Sequence, residues 1–224
     1  MPRLLPVMLT LALLAAPALA IDPPTLELGS ALPSFKLPGV DDKTYTEKDF
    51  TGAKILALIF TCNHCPTAQA YEDRIIALHK DYKEKGVALV AISPNDDKAV
   101  RLDELGYTDV NDSLEDMKIR AKHRDFKFPY LYDGETQEFS KKLGVKATPH
   151  VFIFDEARKL RYVGRIDNGE VNEVTSHDMR NALDDLLAGR EVKTPTTRAF
   201  GCSTKWSDKR DGVNDDVVQS ALGL

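Results

Sequence analysis

Two cysteines stand at C-x-x-C spacing in the run Thr61-Cys62-Asn63-His64-Cys65-Pro66. The thiolate, not the thiol, is the nucleophile, so the chemistry depends on what stabilises an anion there. This spacing lets both sulfurs meet within one turn and close a small, reversible disulfide. Ahead of the run lies the apolar stretch Lys54-Ile-Leu-Ala-Leu-Ile-Phe60, which reads as a buried central strand. Behind it, from Pro66 to Lys85, Ala70, Ile75, Leu78 and Tyr82 recur at helical spacing until Gly86 stops the pattern. The cysteines are therefore expected where a strand turns into a helix. Unpaired N–H groups and the positive end of the helix dipole lower a thiol pKa at that point. Pro66 suits an early helical position, where its missing N–H costs least. A protonated His64, between the thiols, would favour a Cys62 thiolate further.

Plainer roles for the same residues are weaker. A structural disulfide here closes too small a loop to be a good staple. A structural zinc site needs about four ligands, and Cys62, Cys65 and one histidine fall short, with no second C-x-x-C in the chain. A second feature is Ala147-Thr148-Pro149-His150, opening the apolar strand Val151–Phe154. Thr-Pro before a strand can hold a cis peptide, although a trans proline at a strand start is common. The third cysteine, Cys202, lies in the polar tail between Phe200 and Trp206, two aromatics able to dock that tail. It reads as a redox or regulatory thiol, with a bridge to another chain or a free thiol as alternatives. His79, His123, His150 and His177 read as surface or packing positions, His150 alone lying beside the expected site loop.

Other elements support these motifs. Phe35–Leu37 and Lys43–Tyr45 read as short strands, Val87–Ile92 as a second buried strand, and Ser113–Phe126 as a helix opened by a capping-box-like Ser-Leu-Glu-Asp. Tyr130–Tyr132 reads as a strand and Thr136–Leu143 as a helix. Val151–Phe154 and Lys159–Val163 form a hairpin, and Ser176–Leu187 is the last helix. The order predicts an α/β layered domain whose strands 54–60 and 87–92 are parallel.

The chain has 224 residues, 42% hydrophobic and 29% charged, with a formal net charge of −5. This suits one globular domain rather than a disordered or multi-span membrane chain. Cations are scattered among acids, without the basic stripe a nucleic-acid partner needs. Met1–Ala20 reads as a secretory signal peptide: Arg3, an apolar run from Leu4 to Ala15, and Ala18-Leu19-Ala20 as the cleavage site. The expected organisation is a leader at 1–20, a domain at 21–189 and a tail at 190–224 carrying Cys202. No membrane span is expected after cleavage, and the protein is expected in the periplasm or secreted, an oxidising setting for its thiols.

The segments Leu28-Gly-Ser-Ala-Leu-Pro-Ser-Phe35, Thr61–Pro66, Val90-Ala-Ile-Ser-Pro-Asn95, Phe128-Pro-Tyr-Leu-Tyr-Asp133, Ala147-Thr-Pro149, Gly164-Arg-Ile-Asp167 and Gly201-Cys-Ser-Thr-Lys-Trp206 resemble the thioredoxin superfamily. More closely, they resemble its peroxiredoxin-like redoxin branch, the alkyl hydroperoxide reductase and thiol-specific antioxidant type. The resemblance implies a thioredoxin-like fold, a central mixed sheet flanked by helices with a C-terminal tail. It also implies a cis Pro149 facing the C-x-x-C, and thiol–disulfide chemistry without an organic cofactor or a metal.

The sequence departs from both types within the superfamily. With Cys65 aligned to the peroxidatic cysteine, Leu58 and Cys62 replace the proline and threonine of peroxiredoxins. Thr61 and Leu56 replace the tryptophan and buried acid of thioredoxins. Dithiol exchange is preferred, with Cys62 as nucleophile, Cys65 as resolving thiol, Thr148 and Pro149 opposite them, and a protein disulfide or dithiol as partner. The alternative is a peroxidase in which Cys65 attacks a peroxide and Cys62 or Cys202 condenses with the sulfenic acid. In that reading Arg165 is a candidate cation beside the thiolate, with a strand-end salt bridge its favoured role. A copper or zinc carrier using Cys62 and Cys65 ranks third; copper-assembly proteins of this fold space their cysteines one residue further apart.

Overall fold

The computed structural model describes residues 23–101, 104–107, 110–169 and 173–209, so the expected leader Met1–Ala20 lies outside the described residues. In chain order, a short hairpin of β1 (Lys36–Pro38) and β2 (Thr44–Thr46) precedes β3 (Ile55–Phe60), α1 (Pro66–Tyr82) and β4 (Val87–Ser93). Then come α2 (Leu114–His123), β5 (Tyr130–Tyr132), α3 (Glu138–Leu143), β6 (Ala147–Thr148), β7 (His150–Phe154), β8 (Leu160–Gly164), α4 (Asp178–Leu187) and β9 (Cys202–Ser203).

Five strands form the central sheet in the order β5-β4-β3-β7-β8. β3 pairs parallel with β4 and antiparallel with β7, so the sheet is mixed, as expected. Its residues alternate between two apolar layers, because successive strand side chains point to opposite faces. Ile55, Ala57, Ile59, Leu89, Ala91, Val151 and Ile153 pack with residues of α1, α2 and α4. Leu56, Leu58, Phe60, Val90, Ile92, Phe152 and Phe154 pack with Phe139 and Leu143 of α3 and with Phe35 and Leu37. Both faces of β3 are therefore covered, which is why its sequence is continuously apolar.

Element ends differ from expectation where a tertiary contact intervenes. The α3 helix begins at Glu138 rather than Thr136, because Gln137 takes a left-handed conformation with φ 57°. Its side-chain amide is drawn away to the carbonyls of Pro94 and Lys205, at 2.7 Å each. The helix expected over 113–126 ends at His123, while Ser113 caps it by accepting the Asp116 N–H at 3.1 Å. The largest difference is in the tail. Residues read as a polar extension contribute β9, which pairs antiparallel with β6 through Thr148↔Cys202 and Ala147↔Ser203. Trp206 is buried, and Phe200 meets Tyr71 edge-on with ring centres 6.1 Å apart. Strands of two residues carry almost no sequence signal, so neither β6 nor β9 was legible as a pair.

Candidate active site

The strand-to-helix junction places the thiols as the sequence predicted. β3 ends at Phe60, Thr61 is buried and donates its N–H to Ile92 at 2.9 Å, and Cys65 is the residue capping α1, with Pro66 at the first helical position. Cys62 and Cys65 are both buried, in contact with Ala68 and Cys202. The Thr148–Pro149 peptide is cis. Thr148 lies against both thiols, its Oγ1 3.1 Å from Cys62 Sγ and its carbonyl oxygen 3.5 Å from Cys65 Sγ. Residue 148, far from residues 62 and 65 in the chain, thus joins them in one cluster.

Asp112 organises the loop between the cysteines, and the sequence analysis missed it. Its Oδ1 accepts the N–H groups of Asn63 and His64 at 2.8 and 3.0 Å. Its Oδ2 meets His64 Nδ1 at 2.6 Å and accepts Asn95 Nδ2 at 2.7 Å. Asn63 is held further by Asn111 and Gln69. Asp112 lies outside every motif in the sequence, and only the fold brings it under the loop. Its single sequence signal is its place just before the helix-capping Ser113.

The electrostatics divide the thiols. Burial is the main cause that pushes the Cys62 thiol well up, with contributions from Cys65 and Asp112. Cys65 is held well below the ordinary thiol range, first by hydrogen bonds from the Cys202 and Cys62 side chains, then by the Ala68 and Cys202 N–H groups against an opposing burial effect. The Cys202 N–H lies 3.4 Å from Cys65 Sγ. The two thiols are thus shifted in opposite directions, Cys62 up and Cys65 down. Burial works against a charged His64, yet the hydrogen bond and charge of Asp112 outweigh it and raise its pKa. The imidazolium expected between the thiols is thus supported, with Asp112 as its main partner and Cys65 as a further favourable charge.

Arg165 makes the salt bridge that the sequence favoured for it. Its guanidinium is bound to Asp178 at 2.7 Å. The buried cation near the cluster is Lys205, paired with Glu104; its position in the tail gave no hint of this. Donor atoms of Cys62, His64 and Asp112 lie within 4.8 Å of one another and could in principle hold a metal. Both Asp112 oxygens, however, already serve the loop, and a metal would have to take one from it. The donor set fits a positioned imidazolium better than a metal centre.

A layered mixed sheet with a dithiol at a helix N-terminus and a cis-proline opposite defines the thioredoxin superfamily. The Redoxin family model matches residues 27–183, and the chain belongs to that family. A solved hypothetical protein from Sinorhizobium meliloti 1021 is 31% identical, over 82% of this chain and 97% of its own, with a TM-score of 0.72. An uncharacterized conserved protein from Geobacillus kaustophilus is 36% identical, over 84% of this chain and 94% of its own, with a TM-score of 0.71. The peroxidoxin BcpB of Mycobacterium tuberculosis shares the fold at 19% identity, over 73% of this chain and 95% of its own, with a TM-score of 0.50. No curated protein matches the chain. The class is that of thiol-based redox proteins; among the described residues, no helix is long and apolar enough to cross a membrane.

Proposed function

We propose that this protein is an exported thiol–disulfide oxidoreductase that cycles between a Cys62–Cys65 disulfide and the dithiol. The observation that carries the reading is the convergence of Cys62, Cys65 and Thr148 at the N-terminus of α1. Cys65 acts as base for the Cys62 thiol, the Cys62 thiolate attacks a sulfur of the substrate disulfide, and the first substrate thiolate departs and takes the proton back from Cys65. Cys65 then attacks Cys62 in the mixed disulfide, which closes the Cys62–Cys65 bond and releases the second substrate thiolate. His64, whose pKa Asp112 raises against the effect of burial, favours the anion in the cluster. Thr148 and Pro149 form the opposing wall, and the partner is a protein disulfide or dithiol. Export rests on the leader-like Met1–Ala20, with the domain at 21–189 and the tail at 190–224.

One observation favours a second reading. Cys65 is the thiol whose pKa is lowered, by hydrogen bonds from Cys202 and then Cys62, and both of those thiols pack with it. That is the arrangement for a peroxidase, in which the Cys65 thiolate displaces water or alcohol from a peroxide. The resulting sulfenic acid then condenses with Cys62 or Cys202 and loses water.

Both readings are tested by reducing the protein and following its thiols after hydrogen peroxide is added, with Cys62→Ser and Cys65→Ser compared separately. Exchange predicts a rate ordinary for a free thiolate, and turnover of a model protein disulfide that both substitutions abolish. Oxidation far faster than that, lost only in Cys65→Ser, establishes the peroxidase instead.

A further inference from the structure

The tail is built into the site. Cys202 lies on β9, opposite Thr148 in the ladder, with its N–H on Cys65 Sγ and its side chain against that sulfur. The segment is anchored on both sides of the cysteine. Before it, Thr197 donates its N–H to Val163 at 3.0 Å, and Phe200 rests on Tyr71. After it, Lys205 N–H reaches Asn95 Oδ1 at 2.9 Å, Ser207 N–H reaches Gln137 Oε1 at 2.8 Å, and Trp206 is buried. At Gly201, where φ is +137°, a Cβ would come within 2.0 Å of the Thr148 oxygen, so the backbone approaches the site as closely as a glycine permits. Cys65 consequently touches one thiol on each side.

We infer that Cys202 is a third redox thiol, which exchanges with the Cys62–Cys65 disulfide to give a Cys65–Cys202 disulfide. The inference rests on the Cys62–Cys65 pair proposed above and adds a thiol to it. In the step, the Cys202 thiolate attacks Cys65 Sγ of the disulfide. The Cys65–Cys202 bond forms, the Cys62–Cys65 bond breaks, and its electron pair leaves on Cys62, which takes up the proton Cys202 gave away. No external oxidant or reductant enters, because one disulfide replaces another.

The electrostatics of the two states favour this direction of attack. In the dithiol form, the hydrogen bond to Cys65 comes first among the causes that push the Cys202 thiol up, followed by burial and the Cys65 charge, while Lys205 opposes them. When Cys65 is in a disulfide its charge is gone. Both of its effects on Cys202 vanish, leaving burial and Glu104 to raise the thiol and Lys205 to lower it. Oxidation of the first pair thus prepares the third thiol. The product ties the tail across the site by a covalent bond and returns Cys62 as a free thiol.

Disulfide mapping of the full chain tests this. Trypsin separates the thiols, with Cys62 and Cys65 together in peptide 55–74 and Cys202 in peptide 199–205. In Cys62→Ser treated with oxidised glutathione, both remaining thiols should be lost within the chain and the two peptides should be linked. Separate glutathione adducts on Cys65 and Cys202, or a link only between chains, overturn the inference. Cys202→Ser reports on the other pair. Failure to close a bond inside peptide 55–74 overturns the proposed function, and the two failures are read on different peptides. In the unaltered chain, limited oxidation should give both species, interconverting without added oxidant; an internal 55–74 bond alone overturns the inference. Adding Trp206→Ala to Cys62→Ser should slow the link at least about tenfold, since the anchored tail sets the local thiol concentration. An unchanged rate overturns the role given to the docked tail.

Discussion

Two histidines, one between the thiols and one two positions after Thr148, have been given opposite tasks by their surroundings. His64 is buried beside Asp112 and Cys65, with Lys205 as the opposing cation, and its pKa is raised. His150 is buried on β7 against Phe152, with Lys146 the charge nearest it, and its pKa is lowered to about 4, by burial first and Lys146 second. The signs of the linked stability effects follow. A raised His64 contributes stability that is fully present below its unfolded value of 6.5 and is lost as pH rises through its folded value. His150 is neutral when folded but takes up a proton when unfolded below 6.5, so stability falls as pH drops toward 4, by roughly 3 kcal/mol if it acts alone. Urea unfolding across this range should therefore show an alkaline decline that His64→Gln flattens and an acid decline that His150→Phe flattens. Profiles that keep both slopes in these variants would assign the pH dependence to other groups.

At the scale of elements, the site depends on one long-range pairing as much as on the strand-to-helix junction. β3 and α1 deliver the cysteines, but β6 and β9 deliver Thr148 and Cys202, and these strands are two residues each. Such a short ladder holds only because side chains on either side of it are anchored, chiefly Trp206 and Phe200. Gly201→Ala places a methyl against the Thr148 carbonyl in a backbone region that alanine rarely adopts. A cost of about 1–3 kcal/mol is expected. Since the central sheet takes no strand from this segment, the cost should fall on the β6–β9 ladder. Cys202 and Cys65 should then react faster with iodoacetamide while the far-UV circular dichroism holds. Unchanged alkylation rates would mean the tail tolerates the methyl without leaving the site.

Over the whole molecule, stability is expected to be uneven. β3 is covered on both faces and flanked by β4 and β7, whereas β9 sits outside the central sheet at the far end of the described chain. Cooperative units with few buried contacts open below the global free energy. Amide hydrogen exchange should accordingly reach the global limit in Leu56–Phe60 and Val90–Ile92. The N–H groups of Cys202 and Thr204 should exchange earlier, by local release of the tail. Equal protection throughout would mean that the tail opens only when the protein unfolds, and that substrate reaches the buried thiols by another movement. The match to the Redoxin family ends at residue 183, so the cover over Cys65 comes from outside the matched region.

Much of this molecule was written locally. The continuous apolar run of β3, the helical spacing of α1 and the C-x-x-C between them placed a dithiol at a helix N-terminus from residue types and spacing alone. The apolar run of β7 and the Thr-Pro before it likewise marked a strand start, which the family resemblance set opposite the cysteines. These are short-range signals, because periodicity and turn chemistry act within a few residues. Asp112 under the loop, Lys205 beside the cluster and the pairing of Cys202 with Thr148 each join residues tens of positions apart, and the salt bridge of Arg165 spans 13. Nothing in a charged stretch or a polar tail marks which of its side chains will be buried. That was decided only when the sheet and its helices fixed where those segments end, and it is this packing that buries Cys62 and brings the Cys202 N–H to Cys65.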